Sequence, residues 1–180
     1  MNRAIEICIA AIILLLLSPL LAVIGLIIRF DSKGPALFFQ SRVGQFGNIF
    51  KCLKLRTMKV NTEDMPSHCI DEKQVTRVGR FLRKTKVDEL PQLWNVIRGE
   101  MSFVGPRPSL PSQTQLIEER KARGVFDVLP GITGLAQIRQ IDMSDPARLA
   151  AADAEYLDKK SFIQDVRIIF GTVFGGLFKV

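Results

Sequence analysis

Histidine is almost missing from this chain: His68 is the only one in 180 residues. That argues against a histidine-rich metal centre and against a Ser-His-Asp triad. Cysteine is scarce as well. Cys8, Cys52 and Cys69 are odd in number and irregularly spaced, and Cys8 lies inside an apolar run. This pattern argues against a disulfide framework and suits a reducing compartment. The single Trp94 and single Tyr156 form no aromatic pattern with the basic residues. Base stacking is therefore not encoded, and nucleic acid is not an expected partner. Acidic residues fall short of basic ones, 18 against 25, leaving a net charge of +7. Such a surplus calls for an anionic partner, and lipid headgroups or phosphate-bearing substrates fit it. Internal repeats and low-complexity tracts are absent.

What the chain does have is an uninterrupted apolar stretch, Ile7 to Ile28. Its length of about 22 residues is enough for a helix to cross a bilayer core of about 30 Å. The stretch is longer than a usual signal-peptide core and lacks a small-x-small cleavage site after it, so it is expected to be retained. Ser18-Pro19 sits near its middle. Proline removes a helical hydrogen bond, and a serine hydroxyl can bond back to the freed carbonyl. Two readings follow: a straight spanning helix that tolerates a proline, or a helix–break–helix that enters and leaves one leaflet. Arg3 precedes the run, and Arg29 and Lys33 follow it. With positive charge at both ends, the positive-inside rule selects no single crossing, which favours the re-entrant form.

After this anchor, residues 31–180 read as one α+β domain, mostly helical. Leu37–Arg42 and Ile49–Met58 are β-rich runs around a turn with Gly44 and Gly47, a hairpin signature. Lys54 and Arg56 stand two apart in the second strand, so both should point to one face as a phosphate grip. Asn61–Asp71 is polar and loop-like. Val75–Lys86 has helical periodicity, with Arg77, Arg80 and Lys84 on one side and Val78, Phe81 and Leu82 on the other. Ser109–Arg123 reads as an amphipathic helix, Leu129–Ala136 as a loop. A further helix should start near Pro146, capped by Ser144 or Asp145. Phe162–Phe178 has the pattern of an amphipathic helix lying on the core or at the lipid interface.

Two segments carry the chemistry. Asp88-Glu89 opens Asp-Glu-Leu-Pro-Gln-Leu-Trp-Asn in a basic neighbourhood. Asp88 is a good N-cap for a helix through Ile97, with Pro91 tolerated in its first turn. The helix dipole would keep its carboxylate ionised, as a nucleophile or metal ligand requires. In Gly-Pro-Arg-Pro, Pro106 and Pro108 clamp Arg107 in a stiff, extended loop, where a planar fork suits bidentate phosphate recognition. Leu129-Pro130-Gly131-Ile132-Thr133-Gly134 adds a turn where backbone could approach a ligand closely.

The ordered set of Ser-Pro in the apolar segment, Phe-Phe-x-x-Arg-x-Gly-x-x-Gly, Lys-x-Arg-Thr-Met, Asp-Glu-Leu-Pro-Gln-Leu-x-Asn, Gly-Pro-Arg-Pro and Pro-Gly-Ile-Thr-Gly spans nearly the whole chain. It resembles the bacterial sugar transferase family, the monotopic phosphoglycosyl transferases, in its short single-anchor form. Leu135 departs from the pattern, since an aromatic residue often follows that last turn. The resemblance implies transfer of a sugar-1-phosphate from a UDP-sugar to a polyprenyl phosphate, such as undecaprenyl phosphate, with Mg2+. It implies a covalent phospho-sugar intermediate, with Asp88 as nucleophile and Glu89 as its partner in the acidic, metal-supporting pair. Arg107 would bind phosphate, with Lys54, Arg56 and Arg83 as further polar-site residues. It further implies residues 1–30 as a re-entrant anchor turning at Ser18 and Pro19, and residues 31–180 as a catalytic domain with interfacial helices on the cytoplasmic face of the inner membrane. Membrane lipids are the expected surroundings, and self-association remains open. The competing reading is a non-catalytic, membrane-tethered module that binds anions or lipid, with no special role for Asp88.

Overall fold

A computed structural model describes residues 2–60 and 74–174. The expected polar loop at Asn61–Asp71, His68, Cys69 and the end of the last apolar segment lie outside these residues. The apolar run forms one long helix, α1 (Arg3–Asp31), capped by the Asn2 side chain. It is long and apolar enough to cross a membrane. The helix continues through Ser18-Pro19 rather than dividing into two. Proline there leaves the Leu15 carbonyl without its usual amide donor, and Ser18 Oγ supplies the missing bond at 2.7 Å.

One face of α1 lies on the rest of the chain along most of its length. Ala10 packs in a cluster with Cys52, Leu93, Val96 and Met101. Further along, Ile28 packs with Leu55 and Leu82, flanked by Leu21 and Ile24. Both ends are also tied by polar contacts. Arg3 donates to the carbonyls of Met101 and Val96, and Glu6 accepts from Ser102 Oγ at 2.6 Å. At the other end Arg56 donates to the carbonyls of Ile28, Ser32 and Lys33. The opposite face exposes Ile12, Leu15, Leu16, Leu26 and Phe30.

The hairpin forms as expected: β1 (Leu37–Val43) pairs antiparallel with β2 (Ile49–Leu55) around a tight turn. The second strand stops at Leu55 rather than reaching Met58, because Arg56 turns away to the end of α1. Next, α2 (Arg77–Thr85) is capped by Thr76. Lys86 in a left-handed conformation ends it and turns the chain into a 3-10 turn, Val87–Gln92, followed by the short α3 (Leu93–Ile97). Asp88 is thus inside the 3-10 turn and is not the expected N-cap. The αL residue before it already takes the capping position.

A parallel pair, β3 (Ser102–Val104) with β4 (Gly131–Thr133), was not legible in the sequence. The turn glycine expected to admit a ligand admits backbone instead. A Cβ on Gly131 would lie 2.1 Å from the Gly105 nitrogen. The helix expected over Ser109–Arg123 is shorter, α4 (Thr114–Ala122), and the segment before it is irregular. There follow α5 (Leu135–Ile138), α6 (Pro146–Asp158), capped by Asp145, and α7 (Phe162–Phe174). The last helix buries Asp165 and Ile168 and exposes Phe162, Ile163, Phe170 and Val173.

Asn95 joins α3 to the hairpin. Its amide serves as a substitute neighbour for the free edge of β2: Oδ1 accepts from Leu53 N at 2.9 Å, and Nδ2 donates to Lys51 O at 2.8 Å. The same Nδ2 reaches Glu100 at 2.6 Å. Replacing Asn95 by Leu fills similar space but strands these buried groups. Asn95→Leu is expected to lose roughly 2–4 kcal/mol of stability, read from denaturant unfolding in micelles. A loss below about 0.5 kcal/mol, the level of an inert surface change, would refute the edge-pinning role.

Candidate active site

Three segments meet around Glu89. β2 brings Lys54, the 3-10 turn brings Asp88 and Glu89, and the irregular segment after β3 brings Arg107. Glu89 accepts from Arg107 through both carboxylate oxygens, at 2.5 and 3.3 Å. Its Oε1 also accepts from Lys54 Nζ at 3.3 Å. The Glu89 and Lys54 side chains are each 14% exposed and Arg107 26%, so the cluster is largely shielded yet open on one side. An ion cluster of this kind is screened less than a surface pair.

The two neighbouring carboxylates are driven apart in acidity. Burial pushes Glu89 up, but the charges and hydrogen bonds of Arg107 and Lys54 outweigh it and hold the carboxyl well below the usual range. Asp88 moves the other way. Burial, then the negative charge of Glu89, raises it, with Lys54, Arg83 and Arg107 pulling back. Burial lowers Lys54, and the nearby Arg107 charge adds to that shift. Asp88 makes no hydrogen bond or ion pair among the described residues. One acid is therefore locked in an ionic clasp, and the other presents a partly desolvated carboxylate with no protein partner. Environments that split a carboxylate pair in this way assign different roles to its members.

The remaining expected residues divide. Arg83, in the last turn of α2, donates to Thr57 Oγ1 at 2.9 Å and lends positive field to Asp88. Arg56 is not brought to the cluster. It is buried with its guanidinium on the carbonyl end of α1, so Lys54 and Arg56 do not form a shared grip. Arg107 is clamped between its prolines as expected, but its fork closes on Glu89. Sequence reasoning assigned no role to Asn95, Arg42, Arg120 or Asp153. Asn95 stood in a quoted motif. The buried Arg120 sits in the run Glu118-Glu119-Arg120-Lys121, where nothing separates it from solvated charge.

Among the described residues no three histidine, cysteine or acidic side chains gather as a metal centre. The donor chemistry at the dyad still fits Mg2+ arriving with a diphosphate. That ion takes hard oxygen ligands, commonly one or two carboxylates with substrate phosphates completing its shell. Asp88 has uncommitted oxygens beside Glu89.

Comparison with known proteins gives the family. The family described as bacterial sugar transferase matches residues 1–179. The UDP-glucose:undecaprenyl-phosphate glucose-1-phosphate transferase of Caulobacter vibrioides is 40% identical over 183 residues, covering 96% of this chain and 68% of the relative. The enzyme of that name from Escherichia coli is 41% identical over 187 residues, covering 98% of this chain and 40% of its own length. The undecaprenyl-phosphate glucose phosphotransferase of Komagataeibacter xylinus is 40% identical over 185 residues, covering 96% of this chain and 35% of its own length. The chain thus spans little more than a third of some relatives and about two thirds of another. With residues 1–179 matched by the family model, the chain belongs to the bacterial sugar transferase family.

Proposed function

We propose that this protein transfers a sugar-1-phosphate from a UDP-sugar, UDP-glucose first among candidates, to undecaprenyl phosphate or a similar polyprenyl phosphate. The observation that carries the reading is the unpartnered Asp88 carboxylate beside the clasped Glu89. In the first step an Asp88 oxygen attacks the sugar-bearing phosphorus of the UDP-sugar. The bond from that phosphorus to the bridging oxygen breaks, and UMP leaves with the electron pair. In the second step a phosphate oxygen of the polyprenyl phosphate attacks the same phosphorus. The aspartyl–phosphorus bond breaks, giving polyprenyl-diphosphate-sugar and restoring the carboxylate. Splitting one displacement into two lets unlike acceptors use one site in turn.

Phosphoryl transfer depends on positioning and charge neutralisation. Arg107 and Lys54 keep Glu89 ionised and place positive charge beside the reacting carboxylate. Partial burial leaves Asp88 poorly solvated and hence reactive. Mg2+ held at the dyad by a free Asp88 oxygen with the diphosphate would neutralise charge on the phosphates and the departing UMP.

We further propose that α1 lies within one leaflet with both ends on the cytoplasmic side. The support is its packing: contacts from Arg3 to Ile28 line one face of the helix, and both ends bind the same domain. A helix crossing to the far side would carry one end away from that domain. Ser18-Pro19 removes one backbone bond at mid-run, a natural place for the helix to bend at the membrane. Basic residues at both ends agree. The exposed apolar residues of α1 and α7 then face lipid, and the dyad meets a soluble nucleotide sugar and a lipid phosphate from one side.

The direct test is a panel of UDP-sugars with undecaprenyl phosphate, scored for UMP release. Asp88→Asn should abolish release while folding and inserting normally. Because the folded-state pKa of Asp88 is raised above its ordinary 3.8, ionised Asp88 costs stability at neutral pH. That cost disappears as pH falls through the raised pKa to below the unfolded value. Asp88→Asn should therefore unfold at an equal or higher temperature than wild type at pH 7, with the gap closing on acidification. Near-wild-type turnover by the folded variant would remove Asp88 from the mechanism.

Topology is read separately. With Cys8, Cys52 and Cys69 replaced, Asn2→Cys should resist a membrane-impermeant thiol reagent on intact cells and react once cells are opened. Labelling on intact cells would establish a crossing and overturn the one-leaflet placement.

A further inference from the structure

Arg107 belongs to an irregular segment, yet its fork must meet Glu89 to within a fraction of an ångström. An irregular segment has no ladder of its own to set its position, so the main chain around Arg107 has to be held from outside. On either side ordinary amides do this: Gly131 N donates to Pro106 O at 3.0 Å, and Val43 N to Ser109 O at 2.9 Å. At the centre the donors change. The Arg107 carbonyl accepts from Arg120 Nη1 at 2.8 Å, and the Pro108 carbonyl from Arg42 Nη1 at 2.9 Å.

Both guanidiniums are buried, Arg120 1% and Arg42 4% exposed. Burying such a charge is costly unless it is paired and hydrogen-bonded. Each has a polar anchor. Arg120 binds Asp153 of α6 through Nε at 3.0 Å and Nη2 at 2.7 Å. Arg42 binds Gln40 through Nε at 3.0 Å and Nη2 at 2.5 Å. The guanidinium is planar and rigid, with donors on fixed vectors. One edge grips an anchor on a regular element, and another donor fixes a carbonyl. A stiff polar strut therefore runs from α6, and a second from β1, to two successive carbonyls at the root of the Arg107 side chain. A lysine could supply charge here but not two donor directions fixed relative to each other.

We propose that Arg120 and Arg42 are positioning residues that set the main chain of Arg107 so that its fork stands at the dyad, with Asp153 and Gln40 holding the two struts. This role rests on the sugar-phosphate transfer reading above. It separates these buried arginines from the ones that would meet phosphate: they act through Arg107 and touch no substrate. Displacing a reacting group by about 1 Å can lower the rate about 10²-fold.

The test is a mutant cycle. Arg120→Lys and Arg42→Lys are made alone and with Arg107→Lys, and kcat and KM for UDP-glucose are measured with undecaprenyl phosphate on variants checked by thermal unfolding. Arg107→Lys keeps the charge but loses the fork, and it should lower kcat/KM by about 10- to 100-fold. Arg120→Lys and Arg42→Lys should each lower it by about tenfold or more in the wild-type background. In the Arg107→Lys background each should lower it further by less than about twofold, since a strut to a missing fork has nothing left to position. Losses that multiply independently in the folded double variants would show a general structural role and overturn the proposal. So would a folded Arg120→Lys or Arg42→Lys with wild-type kcat/KM. If Arg120→Lys fails to fold, Arg42→Lys decides, because it reaches the segment from a different element.

Failure of the transfer reading shows up differently, as absence of UMP release by the wild type with every UDP-sugar. The strut is then read without substrate, by hydrogen exchange at the Gly105 amide, which donates to Thr133 O. Arg120→Lys or Arg42→Lys should speed that exchange about tenfold while α6 stays protected. Unchanged exchange in both would overturn the positioning role.

Discussion

Glu89 shares one carboxylate between the Arg107 fork and the Lys54 ammonium, and this contact binds together three segments distant in sequence. A buried cluster of this kind is unforgiving. Removing one member leaves an uncompensated charge, which costs more than the pair contributes. The surrounding fold is accordingly arranged to bring each member to its place. Asn95 pins the short helix after the dyad to the free edge of β2, which fixes the turn over Lys54. The left-handed Lys86 delivers the chain from α2 into that turn. The close crossing of Gly105 and Gly131 sets the segment that carries Arg107. With Glu89 committed, Asp88 alone is left available, and burial beside a fixed negative charge raises its pKa. The proposed chemistry of Asp88 follows from the clasp on its neighbour.

The anchor takes part in the same architecture. Arg3 holds the carbonyls of Val96 and Met101, which flank the end of α3, and Arg56 closes the other end of α1. The apolar helix is thus packed beneath the elements that bear the site. That is the arrangement needed if a lipid phosphate and a soluble nucleotide sugar are to reach one carboxylate. The lysine and arginine residues read from sequence divide by this logic: Lys54 and Arg107 face the dyad, whereas Arg56 serves the anchor.

Much of this was legible in the sequence because it depends on local signals. The apolar run, the hairpin glycines, the Pro146 helix start and the acidic dipeptide each announce themselves over a few residues. The dyad and Arg107 became a site only as an ordered set of motifs, since capping alone explains an Asp-Glu pair. What stayed hidden was long-range. The β3–β4 pairing joins short segments far apart in the chain, too brief for periodicity to register. Arg120 looked like one more charge in a polar helix, because its burial depends on Asp153 arriving from α6. Arg56 had the right spacing for the site and went elsewhere, because the strand ended at Leu55, three residues earlier than its composition suggested.

The proposed role of Asp88, freed by the clasp on Glu89, is to form a covalent bond to the sugar phosphate before the lipid acceptor takes part. It is tested most directly by incubating purified protein with UDP-glucose and labelled UMP, without polyprenyl phosphate, and following label into UDP-glucose. Exchange is expected in the wild type and none in Asp88→Asn, because a reversible first step returns the phospho-sugar to UMP. Absence of exchange in a preparation that makes polyprenyl-diphosphate-glucose when both substrates are present would contradict it.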